Sequence, residues 1–175
     1  MYKFKLHMFI FILFTNLFCE CNGFNWYHNI NLNDCNQSDI KILNQFIINS
    51  RETLEMDMDI NFNGEIEPME LGWQLWEDGR LIHWICQEVP SPYLLYEYNC
   101  GLSGEIPSSI SKLDELVKLK IQNNNLSGAI PTSICKLKNS DSGEYWFDLN
   151  NNKFCPPYPS CIESVGQTQD ITNCN

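Results

Sequence analysis

Leu102-Ser-Gly-Glu-Ile-Pro-Ser-Ser-Ile110 and Leu126-Ser-Gly-Ala-Ile-Pro-Thr-Ser-Ile134 are two copies of one pattern, 24 residues apart. Between them Leu113, Leu116, Leu119, Ile121, Asn124 and Leu126 recur at fixed offsets. A third, degenerate copy lies 28 residues on. Phe147, Leu149, Asn152, Phe154, Tyr158, Pro159 and Ile162 fall where Leu119, Ile121, Asn124, Leu126, Ile130, Pro131 and Ile134 fell, and the four extra residues sit around the polar run 139–143. A period of this length marks a unit too small to bury its own apolar edge, so units must stack and both ends need covers. Leu119 and Ile121 alternate and point inward from a short strand. Asn124 turns inward to satisfy main-chain groups of the neighbouring unit. Gly128 and Pro131 set the turn on the opposite side, and Leu126, Ile130 and Ile134 fill the interior.

The spacing is that of the leucine-rich repeat, L-x-x-L-x-L-x-x-N/C-x-L. The L-S-G-x-I-P ending resembles the plant-type class of that repeat. The region 80–175, with its ending Cys155-Pro-Pro-Tyr-Pro-Ser-Cys161 and final Cys174, resembles short secreted leucine-rich-repeat proteins. The resemblance implies an α/β fold: a short leucine-rich-repeat solenoid of two to three coils with a disulfide-bonded C-terminal cap. Inhibition of a hydrolase is one activity it implies. We expect three parts: a signal peptide over 1–21, a helical N-terminal cap over 22–79, and repeats with C-terminal cap over 80–175.

The first copy is irregular. Leu81–Cys86, after Asp78-Gly79-Arg80, reads as the first strand, with 87–92 as an inserted loop. Before Cys100, strict alignment turns Leu95 and Glu97 inward, whereas a one-residue bulge turns Leu94, Tyr96 and Tyr98 inward instead. Cys100 lies 24 residues before Asn124, where the pattern takes Asn or Cys, and is expected to be a buried, unpaired thiol.

The chain has 175 residues, 11 basic and 22 acidic, and a net charge of −11, which argues against a nucleic-acid binder. Its 43% hydrophobic and 13% aromatic content exceeds that of a disordered chain. Lys3 and Lys5 precede an apolar run from Met8 to Phe18, and Cys19 and Cys21 supply small residues before a cut after Cys21. Cleavage after Cys19 or Gly23 is equally compatible. This is the layout of a secretory signal peptide, and the run is too short for the roughly 20 residues of a spanning helix. The mature protein is expected to be exported, with no stable membrane span.

An exported chain meets an oxidising compartment, so its cysteines read as disulfides. No C-x2-C spacing supports zinc, and His28 and His83 are scattered. Cys35 and Cys86 are expected to bridge the N-terminal cap to the repeats. Cys135, Cys155, Cys161 and Cys174 allow three pairings. Cys161 is equivalent to Ser133 and should stack near Cys135, which favours Cys135–Cys161 and Cys155–Cys174.

Asp59-Ile-Asn-Phe-Asn-Gly-Glu-Ile-Glu-Pro-Met-Glu70 meets the EF-hand pattern D-x-[DN]-x-[DN]-G-x5-E and resembles an EF-hand or dockerin-type calcium loop. Calcium takes six to eight oxygens. Asp59, Asn61 and Asn63 would present side-chain oxygens, Glu65 its carbonyl, Glu67 a carboxylate through water, and Glu70 both oxygens. Upstream, Ile40, Leu43, Phe46 and Ile47 recur at helical spacing with Ser38 as N-cap. Downstream, Met69, Trp73 and Trp76 suggest an exit helix begun at Pro68. EF-hands work in pairs and no second loop is present, so a turn that only shapes the cap is the competing reading.

There is no G-x-S-x-G, H-E-x-x-H or phosphate-cradling glycine loop, so no enzyme is expected. Lys118, Lys120 and Gln122 face outward on the strand side of the second repeat, and the 28-residue shift carries these positions to Trp146, Asp148 and Asn150. This concave face is the expected contact site for a protein or glycan, with Trp146 alternatively packing on the cap. The leading expectation is an extracellular recognition module. A calcium-dependent adhesion or structural protein is the alternative. Asn36-Gln-Ser38 and Asn125-Leu-Ser127 are sequons.

Overall fold

The structure, a computed structural model, describes residues 21, 23–24, 32–86, 100–137, 147–162 and 168–174. Elements are numbered in chain order: β1 (Gly23–Phe24), α1 (Gln37–Asn49), β2 (Trp73–Glu77), β3 (Arg80–Ile85), β4 (Ser103–Gly104), β5 (Lys118–Lys120), β6 (Asn125–Ala129), β7 (Phe147–Asp148) and β8 (Lys153–Cys155). Two sheets result. The first has order β1-β2-β3-β5-β7, antiparallel up to β3 and parallel from β3 onward, and the second is the parallel β4-β6-β8. Each repeat supplies one strand to each sheet. Between them, 3-10 turns at Ser108–Lys112 and Thr132–Lys136 follow Pro107 and Pro131.

The core between the sheets is what the repeat pattern demands. Leu113, Leu116, Leu119, Ile121, Leu126, Leu149 and Phe154 are fully buried, and Ile130, Ile134 and Ile162 nearly so. The asparagines do the polar work. Asn124 Nδ2 donates to the Cys86 carbonyl at 2.6 Å and to the Ile121 and Gln122 carbonyls, while its Oδ1 accepts from the Leu102 N–H at 2.8 Å. Asn152 repeats this one unit later: Nδ2 donates to the Ile121, Leu149 and Asn150 carbonyls, and Oδ1 accepts from the Leu126 N–H at 3.0 Å. Each amide thus satisfies main-chain groups of the preceding unit that water cannot reach.

The N-terminal part closes the open end. Ile40, Ile42, Leu43 and Phe46 of α1 are buried, and the Phe46 ring meets the edge of Trp84 at 4.8 Å. The helix begins two residues earlier than expected. Asn36, not Ser38, is the N-cap, its Oδ1 accepting from the Ser38 and Asp39 N–H groups. At its far end Ser50 and Ser103 exchange hydrogen bonds, and the Thr53 hydroxyl donates to the Gly101 carbonyl, which fastens the helix to β4. The expected exit helix is absent. A single 3-10 turn, Pro68–Glu70, leads into β2, because Gly72 takes φ +69° and the run Trp73–Glu77 alternates between half-buried and buried positions as a strand does. A Cβ on Gly72 would meet the Ile85 carbonyl at 2.5 Å and the Cys86 and Cys100 sulfurs at 2.8 and 2.9 Å. Asp78 and Gly79, both at positive φ, form the two-residue turn joining β2 to β3. The boundary expected between residues 79 and 80 therefore falls inside a hairpin, and cap and repeats share one sheet.

The cysteine pairing corrects two expectations. The bridges are Cys21–Cys35, Cys86–Cys100, Cys135–Cys161 and Cys155–Cys174. The last two are the C-terminal pairs favoured from the repeat alignment. Cys35 does not reach Cys86. Asn36 N–H donates to the Gly79 carbonyl, so Cys35 sits at the hairpin tip, whereas Cys86 lies at the opposite end of β3, roughly 20 Å along a strand. A bridge needs Cα atoms within about 7 Å. Cys100 is fully buried, as expected, but bonded to Cys86 rather than free. Cys21 accepts the Gly79 N–H at its carbonyl and bonds Cys35, so a cut after Cys21 would discard half a bridge. Trp146, the alternatives at 94–98, and residues 1–20 of the leader expected over 1–21 lie outside the described residues.

Replacing Asn124 by alanine leaves the Leu102 N–H and the Cys86 carbonyl buried without this partner. It should cost about 3 kcal/mol of unfolding free energy in denaturant melts, against about 0.5 kcal/mol or less for exposed Asn125→Ala.

Candidate functional site

The outward side of the first sheet is built by strand alternation. Leu119 points into the core, so Lys118 and Lys120 on either side of it point away. Register then sets their neighbours. Trp73, Ile85, Lys120 and Asp148 form one row across β2, β3, β5 and β7, and Leu75, His83 and Lys118 form the next. Trp73 and His83 stack at 6.1 Å with 24° between ring planes. Burial, and then the nearby Lys118 charge, hold the His83 pKa below the ordinary histidine value. The face grades from aromatic and aliphatic groups on the hairpin to two lysines and a carboxylate on the repeats.

Not every expected contact residue is available in the same way. Asp148 Oδ1 accepts from the Asn150 N–H, and Asn150 Oδ1 accepts from the Thr168 hydroxyl at 2.8 Å. Both are engaged in shaping the C-terminal turn. Gln122 is half-buried, and its buried Oε1 has no hydrogen-bond partner among the described residues. The structure thus brings Lys118, Lys120 and Asp148 together, and turns Asn150 toward Thr168.

The 59–70 loop is held by its own side chains. Asp59 Oδ1 accepts from the Asn63 N–H at 3.1 Å and Oδ2 from the Gly64 N–H at 2.8 Å. Asn61 and Asn63 each cap the N–H two residues on. Gly64 takes φ +87° with open space around it, and Phe62, at φ +58°, is 89% exposed at the tip. Glu70 Oε1 accepts from the Ile60 and Asn61 N–H groups, and Oε2 from the Glu67 N–H. The Asn61 and Asn63 amides donate to Glu67 at 3.0 and 2.5 Å. Glu65 is exposed. The two carboxylates split in character. Burial, then the contact with Glu67, raises the Glu70 pKa. The contact with Glu70, helped by both asparagine amides, lowers that of Glu67 against a smaller opposing effect of burial. Among the described residues no three His, Cys, Asp or Glu side chains converge as a metal-binding group. The donor set is nevertheless all oxygen, with Asp59 and Glu70 nearly buried, which suits a hard cation.

A family model for the Leucine Rich Repeat matches residues 115–137. No curated protein matches the chain. Inside the matched span, Leu116, Leu119, Ile121, Asn124, Leu126, Ile130, Ile134 and Leu137 are all buried, so the motif letters and the core coincide. This repeat class is characteristically a non-enzymatic, protein-binding module. Among the described residues no helix is long and apolar enough to cross a membrane.

A third cluster escaped sequence reasoning. Arg80 Nε donates to Asp39 Oδ2 at 2.9 Å, and its terminal nitrogen donates to Asp39 Oδ1, the Lys112 carbonyl and Asp114. Asp39 is fully buried and also accepts the Leu81 N–H. Pairing with Asp39 above all raises the Arg80 pKa beyond its already high ordinary value. This is a structural clamp between α1, β3 and the turn after Lys112. An Asp in the first turn of an apolar helix is an ordinary sight, and the arginine lies 41 positions away.

His83 gives a pH readout of the outward face. With its folded pKa depressed, it contributes stability that is present above the ordinary histidine range and is lost as pH falls through the folded value. Imidazole NMR titration should place its midpoint below about 6.5, and Lys118→Ala should move it part of the way back up, burial retaining the rest.

Proposed function

We propose that this protein is an exported leucine-rich-repeat recognition module, a solenoid of two to three coils. Its partner, a protein or a glycan, docks on the outward face of the first sheet. The observation that carries this reading is the row Trp73–Ile85–Lys120–Asp148, with Lys118 and His83 beside it. It places an aromatic anchor next to cationic groups on a chain of net charge −11. Aromatic residues ringed by polar ones are where binding energy concentrates. Export is supported by the four bridges, which suit an oxidising compartment. The test is a pull-down from extracellular fluid with wild type and with Lys120→Ala combined with Lys118→Ala. A protein held by wild type and weakened about tenfold or more in the variant supports the face. Identical retention by both places the contact elsewhere.

The conformation of the 59–70 loop favours a second reading, in which calcium orders the N-terminal part. Asp59, Asn61, Asn63, the Glu65 carbonyl, Glu67 and Glu70 would hold the ion. The Asn61 and Asn63 amides that now donate to Glu67 would give way, which suits the weak extracellular range of roughly 10⁻⁴–10⁻³ M. Calorimetric titration should then saturate at one calcium per chain, with no heat in Glu70→Ala. At ten times the dissociation constant, calcium should add about 1.4 kcal/mol of stability. No heat up to several times that range would leave the loop as a turn.

A further inference from the structure

Two asparagines stand in the arrangement Asn-x-Ser with no intervening proline: Asn36 and Asn125. The fold treats them differently. Asn36 is half-buried beside the Cys21–Cys35 bridge. Its N–H donates to the Gly79 carbonyl, and its Oδ1 holds the first turn of α1. Asn125 opens β6 and is exposed. Its main-chain N–H is satisfied by the Leu102 carbonyl at 2.7 Å, and among the described residues neither its amide nor the Ser127 hydroxyl takes part in a hydrogen bond. Its neighbour across the sheet is Ser103, and Asn123, two positions earlier, is exposed and bonded to the amide of Asn151. A substituent on the exposed Asn125 amide therefore breaks no hydrogen bond among the described residues.

We propose that Asn125 carries an N-linked oligosaccharide. The donor class is an oligosaccharide joined through a diphosphate to a polyisoprenoid lipid. The Asn125 amide nitrogen forms a bond to the anomeric carbon. The bond from that carbon to the diphosphate oxygen breaks, and the lipid diphosphate leaves with the electron pair. One amide proton passes to a base of the transferase. No oxidant or reductant is needed. The consequence for recognition follows from topology. Asn125 belongs to the second sheet, whereas Lys118 and Lys120 belong to the first. The glycan covers polar surface of the second sheet and leaves the lysine-bearing side of the first sheet to the partner. The proposal rests on the export reading above.

The full chain, expressed in a eukaryotic cell and recovered from medium and lysate, decides it. Enzymatic glycan release in heavy-oxygen water, followed by peptide mass spectrometry, should convert residue 125 to labelled Asp in most molecules. Asn125→Gln and Ser127→Ala should each lose one glycan-sized mobility step, while retaining the oxidised Cys86–Cys100 peptide as proof of folding. Asn36→Gln should leave the label at 125 in place. An unmodified Asn125 in a chain whose bridges have formed overturns the glycan and spares export. An unmodified Asn125 in a chain with free thiols overturns both.

Discussion

The hydrogen bonds from Asn124 to the Cys86 carbonyl and from the Leu102 N–H to Asn124 are the contacts on which the rest of the fold is arranged. Stacked parallel units leave main-chain groups between the two sheets with no strand partner and no water. One planar amide, offering two donors and an accepting oxygen, serves both sheets at once. It reaches β3 through Cys86 and the start of β4 through Leu102. Asn152 does the same for the next unit, so the 28-residue copy keeps register despite its longer connection. Only after these groups are satisfied can the leucines pack densely, because an unpaired amide in the same place would cost about as much as a buried side chain contributes.

The ladder also explains the ends. One repeat before Asn124, the equivalent position is Cys100, which cannot make those bonds. A covalent bridge to Cys86 stands there instead, packed against the bare face of Gly72. Beyond it the repeat gives way to the antiparallel hairpin β2–β3 and the helix α1. The parallel sheet is thus covered at this end by antiparallel strands, β2 and then β1. The Arg80–Asp39 pair locks that closure. With Asp39 fully buried, its two oxygens must find donors, and the guanidinium and the Leu81 N–H supply them. Cys21–Cys35 and the hairpin tip join through the Gly79 main chain, which ties the start of the described chain to the same sheet.

The calcium-type loop and the outward lysine face stand on different parts of this frame. The loop is self-contained. Its hydrogen bonds run almost entirely among residues 59–70, and it touches the core through Ile66, Pro68 and the buried Glu70. The lysine face has no local definition at all. Lys118, Lys120 and Asp148 become neighbours of Trp73 and Ile85 only through pairing between β3, β5 and β7, whose partner residues are 35 and 28 positions apart. That is why the loop reads directly from a twelve-residue pattern, and β3 from the apolar run Leu81–Cys86, while the β2 part of the face, and with it the Trp73–His83 stack, was not legible.

Sequence by itself determined what repeats: the period, the inward leucines, the amide ladder, the loop spacing and the acidic balance all follow from residue type at fixed local offsets. The alternation in Trp73–Glu77 and the Asp78-Gly79 turn were also present in the letters, but apolar spacing with a proline start reads equally as a helix. Tertiary structure decided that question, because strand pairing with β3 buries Gln74 and Trp76 on one face, where Gln74 bonds the Pro68 and Leu71 carbonyls. It likewise decided which cysteines meet, since a disulfide depends on the distance between chain segments and not on their position in a repeat. Asp39 with Arg80, and Cys86 with Cys100, are products of that closure, and no local pattern encodes them.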